Sequence, residues 1–444
     1  MSDGGTINNS LWGNLPLEMV AHVLSLLPIK SQCKFKCVSP SWNSLISSPN
    51  FAKTNKPSKT ILISNSQGLY SVDFAAPNLT AEKLDFPSAE GKLTYGCGSC
   101  NGLVLVCVED VDSNSNFLLL NPFTRECKKL PQSPFYDTSS SARIKLITTR
   151  THTILPGLGY DSSTDDYKVA MLLYTCMPES EYDHAGNVSE VIVYSLKTDS
   201  WRRIQDCHYD PVEPQCGIHF LNIPLTCSRV YGLLRVATFW VLSSCSLFAE
   251  PLLGFLFNER LHWLSEKTGD LDGSMVVAAF NFPNENFTEV HLPDTFDTIY
   301  EVEYHHMVIL GGCLCLVTWP RFGDEMEVWM MTKYAVRESW IKFTILNHSR
   351  MSLGNVLHLS AEGEFVLRRY GEIDGTKLVA YNLKKETLTD LVVGGIPIRF
   401  NHGDNYIETL VSPNHGGRIR RQCEASSGDH VQRFICYLNI RNVQ

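Results

Sequence analysis

One phrase recurs along most of this chain and constrains its fold more than any other feature. It is an apolar strand, a polar turn, an aromatic or apolar anchor, and a charged pair leading to another apolar residue. It reads as "LLLNPFTRECKKLP", "VIVYSLKTDSWRRI", "VAAFNFPNENFTEVHLP", "WMMTKYAVRESWIKF" and "LVAYNLKKETLTDL", with a weaker copy in "SVDFAAPNLTAEKLDFP". The anchors fall near Ala81 and at Cys127, Trp201, Phe287, Trp340 and Leu388, at spacings of 46, 74, 86, 53 and 48 residues. A period near fifty with one hairpin-like unit per repeat marks a propeller-type array, kelch-like in length. Short period-2 strands such as "GLVLVCVED" and "YKVAMLLY", bounded by Gly, Asn, Asp and Pro, agree with an all-β body of about six blades.

Two spacings exceed the period. The first holds the Ser/Thr-rich stretch "QSPFYDTSSSARIKLITTRTHTILP", a loop by composition. The second holds residues 223–253, "IPLTCSRVYGLLRVATFWVLSSCSLFAEPLL"; removing these 31 residues turns 86 into 55, so they are expected to be an insertion. The same region is the one membrane candidate. A span needs about twenty apolar residues, whereas only fourteen uncharged residues separate Arg235 from Glu250. Each charge deep in a bilayer costs about 2.5 to 3.5 kcal/mol, so no membrane span is expected.

The head of the chain follows a different period. Val20, Val23, Leu24 and Leu27 recur at helical spacing and Pro28 stops that helix; a second fits Lys30 to Val38. Ser39 reads as an N-cap with Pro40 at the first position of a third helix, whose Trp42, Leu45 and Ile46 share a face. Three helices this short cannot bury those faces among themselves. They pack either on the rest of the chain or on a partner.

"LPLEMVAHVLSLLPIKS", "FKCVSPSWNSLI" and "SSPNF" resemble, in order and spacing, the F-box, which docks onto the Skp adaptor of cullin-RING ubiquitin ligases. The resemblance implies that Leu15, Pro16, Leu24, Leu27, Pro28, Trp42 and Leu45 form or support an apolar adaptor-binding surface. Gln32 and Cys33 stand where plant F-boxes usually carry two leucines, and Leu26 where Arg is common. The body resembles the F-box-associated domain of plant F-box proteins through "GSCNGLVLV", "NPFTRECKKLP", "GLGYDSSTDDYKV", "VYSLKTDSWRRI", "FNERLHWL", "VWMMTKYAVRESWIKF" and "ETLVSP", which run from about residue 98 to 413. The expected organisation is a disordered start at 1–10, an F-box at 11–55, a β domain at 60–414 and a basic tail at 415–444.

Charge fits that reading. The formal net charge is -9, yet residues 1–60 carry +4 and residues 415–444 carry +3, leaving an acidic body. An acidic body argues against nucleic acid as a partner, and a basic head suits an acidic protein. Fifteen scattered cysteines and no basic-apolar leader point to a reducing cytoplasmic or nuclear setting.

Catalytic and metal motifs are weak. "CGSC", Cys97 to Cys100, has no second pair at zinc spacing, so core or loop thiols are expected. Cys313 and Cys315 alternate on one strand, and His305-His306 has no ligand-spaced companion. Asp161, Asp165 and Asp166 sit in a turn sequence and are expected to form it. No phosphate-cradling loop, H-E-x-x-H or G-x-S-x-G occurs. The resemblance therefore implies a non-catalytic substrate receptor of a Skp-cullin-F-box ligase, without cofactors and with an unnamed protein substrate. The competing readings are a stand-alone propeller binding protein or enzyme with an unrelated helical head, and a ligase with its own catalytic cysteine.

Overall fold

The computed structural model describes residues 16–52, 54, 60–65, 68–74, 76–84, 92–110, 115–134, 151–176, 188–207, 209–211, 254–267, 275–293, 302–320, 325–346, 352–360, 362–371, 375–397, 400 and 402–414. The expected disordered start, the segment 223–253, the basic tail and Leu15 lie outside the described residues.

Four short helices open the described chain: α1 (Leu17–Ser25), α2 (Ile29–Phe35), α3 (Pro40–Ile46) and α4 (Pro49–Ala52). Pro16 and Pro28 supply the fixed φ that starts α1 and α2, and Ser39 Oγ accepts the Trp42 N–H at 3.2 Å to cap α3. The first two helices end earlier than the apolar spacing suggests. Pro28 caps the next helix rather than merely stopping the first, so Leu26 and Leu27 form the link.

The body is a six-bladed propeller. Strands β1 (Thr60–Asn65), β2 (Gly68–Asp73) and β3 (Ala81–Leu84) belong to the first blade, and β4 (Lys92–Cys100), β5 (Leu103–Glu109), β6 (Ser115–Asn121) and β7 (Glu126–Lys129) form the second. The third holds β8 (Thr151–Asp161), β9 (Asp166–Cys176), β10 (Val188–Ser195) and β11 (Ser200–Cys207). The fourth holds β12 (Tyr209–Pro211), β13 (Phe255–Phe257), β14 (Arg260–Lys267), β15 (Met275–Asn281) and β16 (Asn286–Val290). The fifth is β17 (Val302–Leu310), β18 (Cys313–Pro320), β19 (Glu325–Met331) and β20 (Trp340–Leu346). The sixth is β21 (Ser352–Leu359), β22 (Glu364–Gly371), β23 (Gly375–Asn382) and β24 (Thr387–Leu391). The last strand, β25 (His402–Tyr406), returns to pair antiparallel with β1, Thr60 opposite Tyr406, and supplies the inner strand of the first blade. Inner strands touch in ring order, β25 to β4, β4 to β8, β8 to β13, β13 to β17, β17 to β21 and β21 back to β25. That closure leaves no sheet edge at the junction of the two chain ends.

The recurring phrase is now a physical object. All six anchors sit at the start of an outermost strand and pair with the strand inside it: Val72↔Ala81, Leu120↔Cys127, Tyr194↔Trp201, Phe280↔Phe287, Met331↔Trp340 and Tyr381↔Leu388. The polar turn before the anchor has its own chemistry. Asn121 Oδ1 accepts from the Phe123 and Thr124 N–H groups at 2.9 and 3.1 Å, Asn281 Oδ1 from Asn284 N–H at 2.9 Å, and Asn382 Oδ1 from Lys384 and Lys385 at 3.1 and 3.0 Å. Two anchors also weld blades together. Trp201 donates its indole N–H to Pro131 O at 2.7 Å, and Trp340 does the same to His291 O at 3.0 Å.

The fourth blade departs from the pattern. Both β12 and β13 pair antiparallel with the same edge of β14, Pro211 opposite Ser265 and Phe255 opposite His262. They are two halves of one inner strand. Only Leu264 and Trp263 separate the two pairings on β14, so two residues would bridge the gap. Residues 212–254, forty-three of them, occupy that place in the chain.

Candidate functional site

Among the described residues the helices meet the propeller on one face. Strands within a blade alternate direction, so the turns joining first to second and third to fourth strands lie on one face, and the remaining connections lie on the other. Leu24, Ile46 and Phe51 of α1, α3 and α4 form a buried cluster with Leu410, which follows β25, and Phe123 from the β6–β7 turn packs against it. Ala52 and Val411 bury themselves in the adjoining propeller cluster. The helical head is therefore seated on the face of the tight turns.

Seating sorts its apolar residues into two sets. Leu24 is 2% exposed, and Leu27, Trp42 and Leu45 are half-buried around the same cluster. These four support the head from within. Pro16 and Pro28 are exposed. Leu17, Met19, Val23, Leu26 and Val38 are each more than half exposed, with Val23 at 58% and Leu26 at 63%, and helical spacing puts Met19 and Val23 on the side of α1 away from Leu24. Val23, which helical spacing groups with Val20, Leu24 and Leu27 on one apolar face, is exposed while Leu24 is buried. The signal was present: α1 and its link are apolar nearly all round, which is the pattern of a helix with partners on both sides.

At the departures from the usual motif, Gln32 is buried and donates from Nε2 to Leu27 O at 2.9 Å, closing the α1–α2 link with a polar bond where leucine would give only packing. Cys33 packs against the buried cluster. The junction also carries charge. Burial lowers the Lys36 pKa against the opposing pull of Glu126 from the propeller, and burial raises that of Glu408 against the pull of Lys30.

The other candidate residues resolve as structure. Cys97, Cys100 and Cys315 are buried, and burial pushes the thiols of Cys97 and Cys315 up, the latter to about 12, the opposite of an activated nucleophile. Among the described residues no cluster of three or more His, Cys, Asp or Glu could hold a metal. Among them, too, no helix is long and apolar enough to cross a membrane. His305 and His306 lie on β17. Asp161 caps its turn, accepting from Ser163 N–H at 2.9 Å and Thr164 Oγ1 at 2.7 Å, while Asp166 accepts from Lys197 N–H at 2.9 Å. Asp161 and Asp165 thus serve the turn as anticipated, whereas Asp166 begins β9 and braces the neighbouring turn between β10 and β11.

Comparison with known proteins decides what the seated head is. Residues 12–54 match the F-box domain, and residues 60–222 match the F-box associated beta propeller domain. An F-box/kelch-repeat protein of Arabidopsis thaliana is 30% identical over 350 residues, covering 74% of this chain and 78% of its own length. The chain is a plant F-box protein. The F-box protein CPR1 of Arabidopsis thaliana is 26% identical over 395 residues, covering 87% of this chain and 86% of the relative. The match at 12–54 removes the reading of an unrelated helical head. An F-box joined to a β-propeller is the architecture of a substrate-receptor family of Skp-cullin-F-box ligases, whose members are typically non-catalytic adaptors.

Proposed function

We propose that this chain is the substrate-recognition subunit of a Skp-cullin-F-box ubiquitin ligase, acting in the cytoplasm or nucleus without catalytic groups or cofactors of its own. The observation that carries the reading is the exposed apolar set Leu17, Met19, Val23, Leu26 and Val38, on helices whose buried residues Leu24, Ile46 and Phe51 are already covered by the propeller. Five large apolar side chains in solvent on one small module mark a protein-binding surface. A Skp-family adaptor is the partner that covers it, with Pro16 and Pro28, and Leu15 from the sequence pattern, at its margin.

The substrate belongs on the opposite face. Strand ends that face the F-box are two to eight residues apart in the sequence, whereas the strand ends on the far face that bound 130–150, 177–187, 291–301 and 392–401 are separated by ten or more residues each. Recognition commonly resides on long loops set on a rigid scaffold. The adaptor and the substrate would then bind opposite ends of one body.

A pull-down and titration with a plant Skp-family adaptor tests the proposal. Val23→Asp combined with Leu26→Asp leaves the buried cluster intact, so the thermal midpoint should hold while affinity falls about thirtyfold or more. Adaptor binding at wild-type strength by the double variant overturns the reading.

A further inference from the structure

The segment after β25 makes contacts out of proportion to its six residues, 407–412. Asn121 Nδ2 donates to Thr409 O at 3.0 Å and to Val411 O at 2.7 Å, Thr409 Oγ1 donates to Asn101 O at 2.7 Å, and Ser412 Oγ bonds the Glu126 carboxylate. The fit against the second blade is close: a Cβ added at Gly102 would lie 2.8 Å from Ile407 O. Its side chains alternate as in a strand. Leu410 enters the F-box cluster, and its neighbour Val411 enters the propeller cluster that also holds Ala52. The segment is thus a strap between two bodies, with one apolar side chain committed to each.

We infer that residues 407–412 are a positioning element of the ligase: they hold the adaptor-docking helices at one angle to the substrate face, and do so only when β25 has closed the ring. The inference rests on the proposed function for its consequence, and on the geometry alone for the seating. Strap and closing strand are continuous, since Tyr406 ends β25 and pairs with Thr60, just past the F-box. A propeller whose last strand is unpaired has no place to put Leu410, so the F-box loses its floor when the ring opens. Leu410 is buried with Leu24, Ile46 and Phe51, not exposed with Leu17, Met19, Val23, Leu26 and Val38. It acts through Leu24, Ile46 and Phe51, as a positioning residue rather than a binding one.

The test uses the full chain, wild type and Leu410→Asp, reconstituted with a plant Skp-family adaptor, a cullin, its RING subunit and a ubiquitin-charged E2. The probe is ubiquitin transfer to the receptor's own lysines. A head fixed at one angle confines transfer to a reproducible subset of them. Leu410→Asp is expected to bind the adaptor within about twofold of wild type, to spread transfer over additional lysines, and to speed amide exchange in α1–α3 of the free chain roughly tenfold or more. An unchanged lysine pattern, or unchanged exchange, overturns the inference. Should Leu410→Asp fail to fold, Leu410→Ala asks the same question with a smaller displacement. Should wild type not bind the adaptor at all, the functional reading fails, and exchange in the free chain still decides whether the strap seats the helices.

Discussion

Lys168 places its ammonium 2.7 Å from the Asp161 carboxylate at a site where Asp161 has no exposed surface and Lys168 almost none. The same ammonium reaches Glu285 at 2.8 Å and Phe282 O at 3.3 Å, so one cation ties the third blade to the fourth. Burial by itself would raise the Asp161 pKa, but hydrogen bonds from Lys168, Ser163 and Thr164 outweigh it and hold the carboxyl far below its usual range. Removing one partner of a buried pair costs about 3 to 5 kcal/mol, because the other is left uncompensated. Asp161→Ala should fall near the lower figure, since Glu285 still pairs Lys168. The pH sign follows from the depressed folded pKa: the stabilisation is present above the ordinary carboxylate value of about 3.9 and is lost as pH falls below it. Denaturant unfolding of both proteins should show a gap that is full at pH 7 and narrows below about pH 4.

His262 offers a second pH handle. Its Nδ1 donates to Phe255 O at 3.1 Å and its Nε2 accepts from the Tyr334 hydroxyl at 2.8 Å, a neutral ring in a site that burial and the nearby Arg260 keep from charging. Its pKa is pulled down from 6.5 to about 4. A depressed histidine stabilises above its unfolded pKa and ceases to do so as pH falls through the folded one. Wild type should therefore lose on the order of 3 kcal/mol between pH 6.5 and 4 that His262→Gln does not lose. Parallel pH profiles of the two proteins would refute this.

The interrupted inner strand of the fourth blade makes a sharper deletion than sequence spacing allowed. Continuing the β13 register places Gly254 opposite Trp263, and a Cβ at Gly254 would lie 2.9 Å from the indole, so glycine belongs there. Val212 would stand opposite Leu264 by the β12 register. Removing residues 213–253 joins these two and leaves the two residues the gap requires. Loop closure changes slowly with length, and an apolar run that invites aggregation is removed. Soluble yield and thermal midpoint should hold or rise; a lower midpoint would mean the segment contributes to the core.

The turns before the anchors hold a small reserve of strain. Glu386, exposed and next to Thr387 at the start of β24, sits at φ +53°. A side chain in that region costs about 1 to 2 kcal/mol, partly offset by the greater chain entropy that glycine loses on folding. Glu386→Gly should raise stability by roughly 0.5 to 1 kcal/mol in a denaturant titration, and Asn382→Ala, which removes the oxygen that closes the turn, should lower it by about 1 kcal/mol.

The repeat was legible because its causes are local. An asparagine that closes a turn, a residue at positive φ, and an anchor on the next strand lie within seven residues of one another, as in Asn121, Arg125 and Cys127. The helical head was legible for the same reason, through Ser39, Pro40 and the apolar spacing. What escaped is non-local. "HGDNY" has no apolar run, and its identity as an inner strand comes from Thr60, more than three hundred residues away. Leu410 and Phe123 look like any loop hydrophobes until the fold brings them under Leu24. The exposed apolar set of the F-box was obscured because spacing identifies an apolar face but does not say which of two such faces turns inward.

Ring closure by β25 also sets a schedule for synthesis. The F-box helices end at Ala52, whereas the strand that completes the first blade begins at His402. At about 5 to 20 residues per second, a ribosome needs on the order of 20 to 70 seconds to make the chain between them. Throughout that interval the nascent helices lack Leu410 and the closed ring beneath them. Seating of the helices on the propeller is therefore one of the last steps in the folding of this chain.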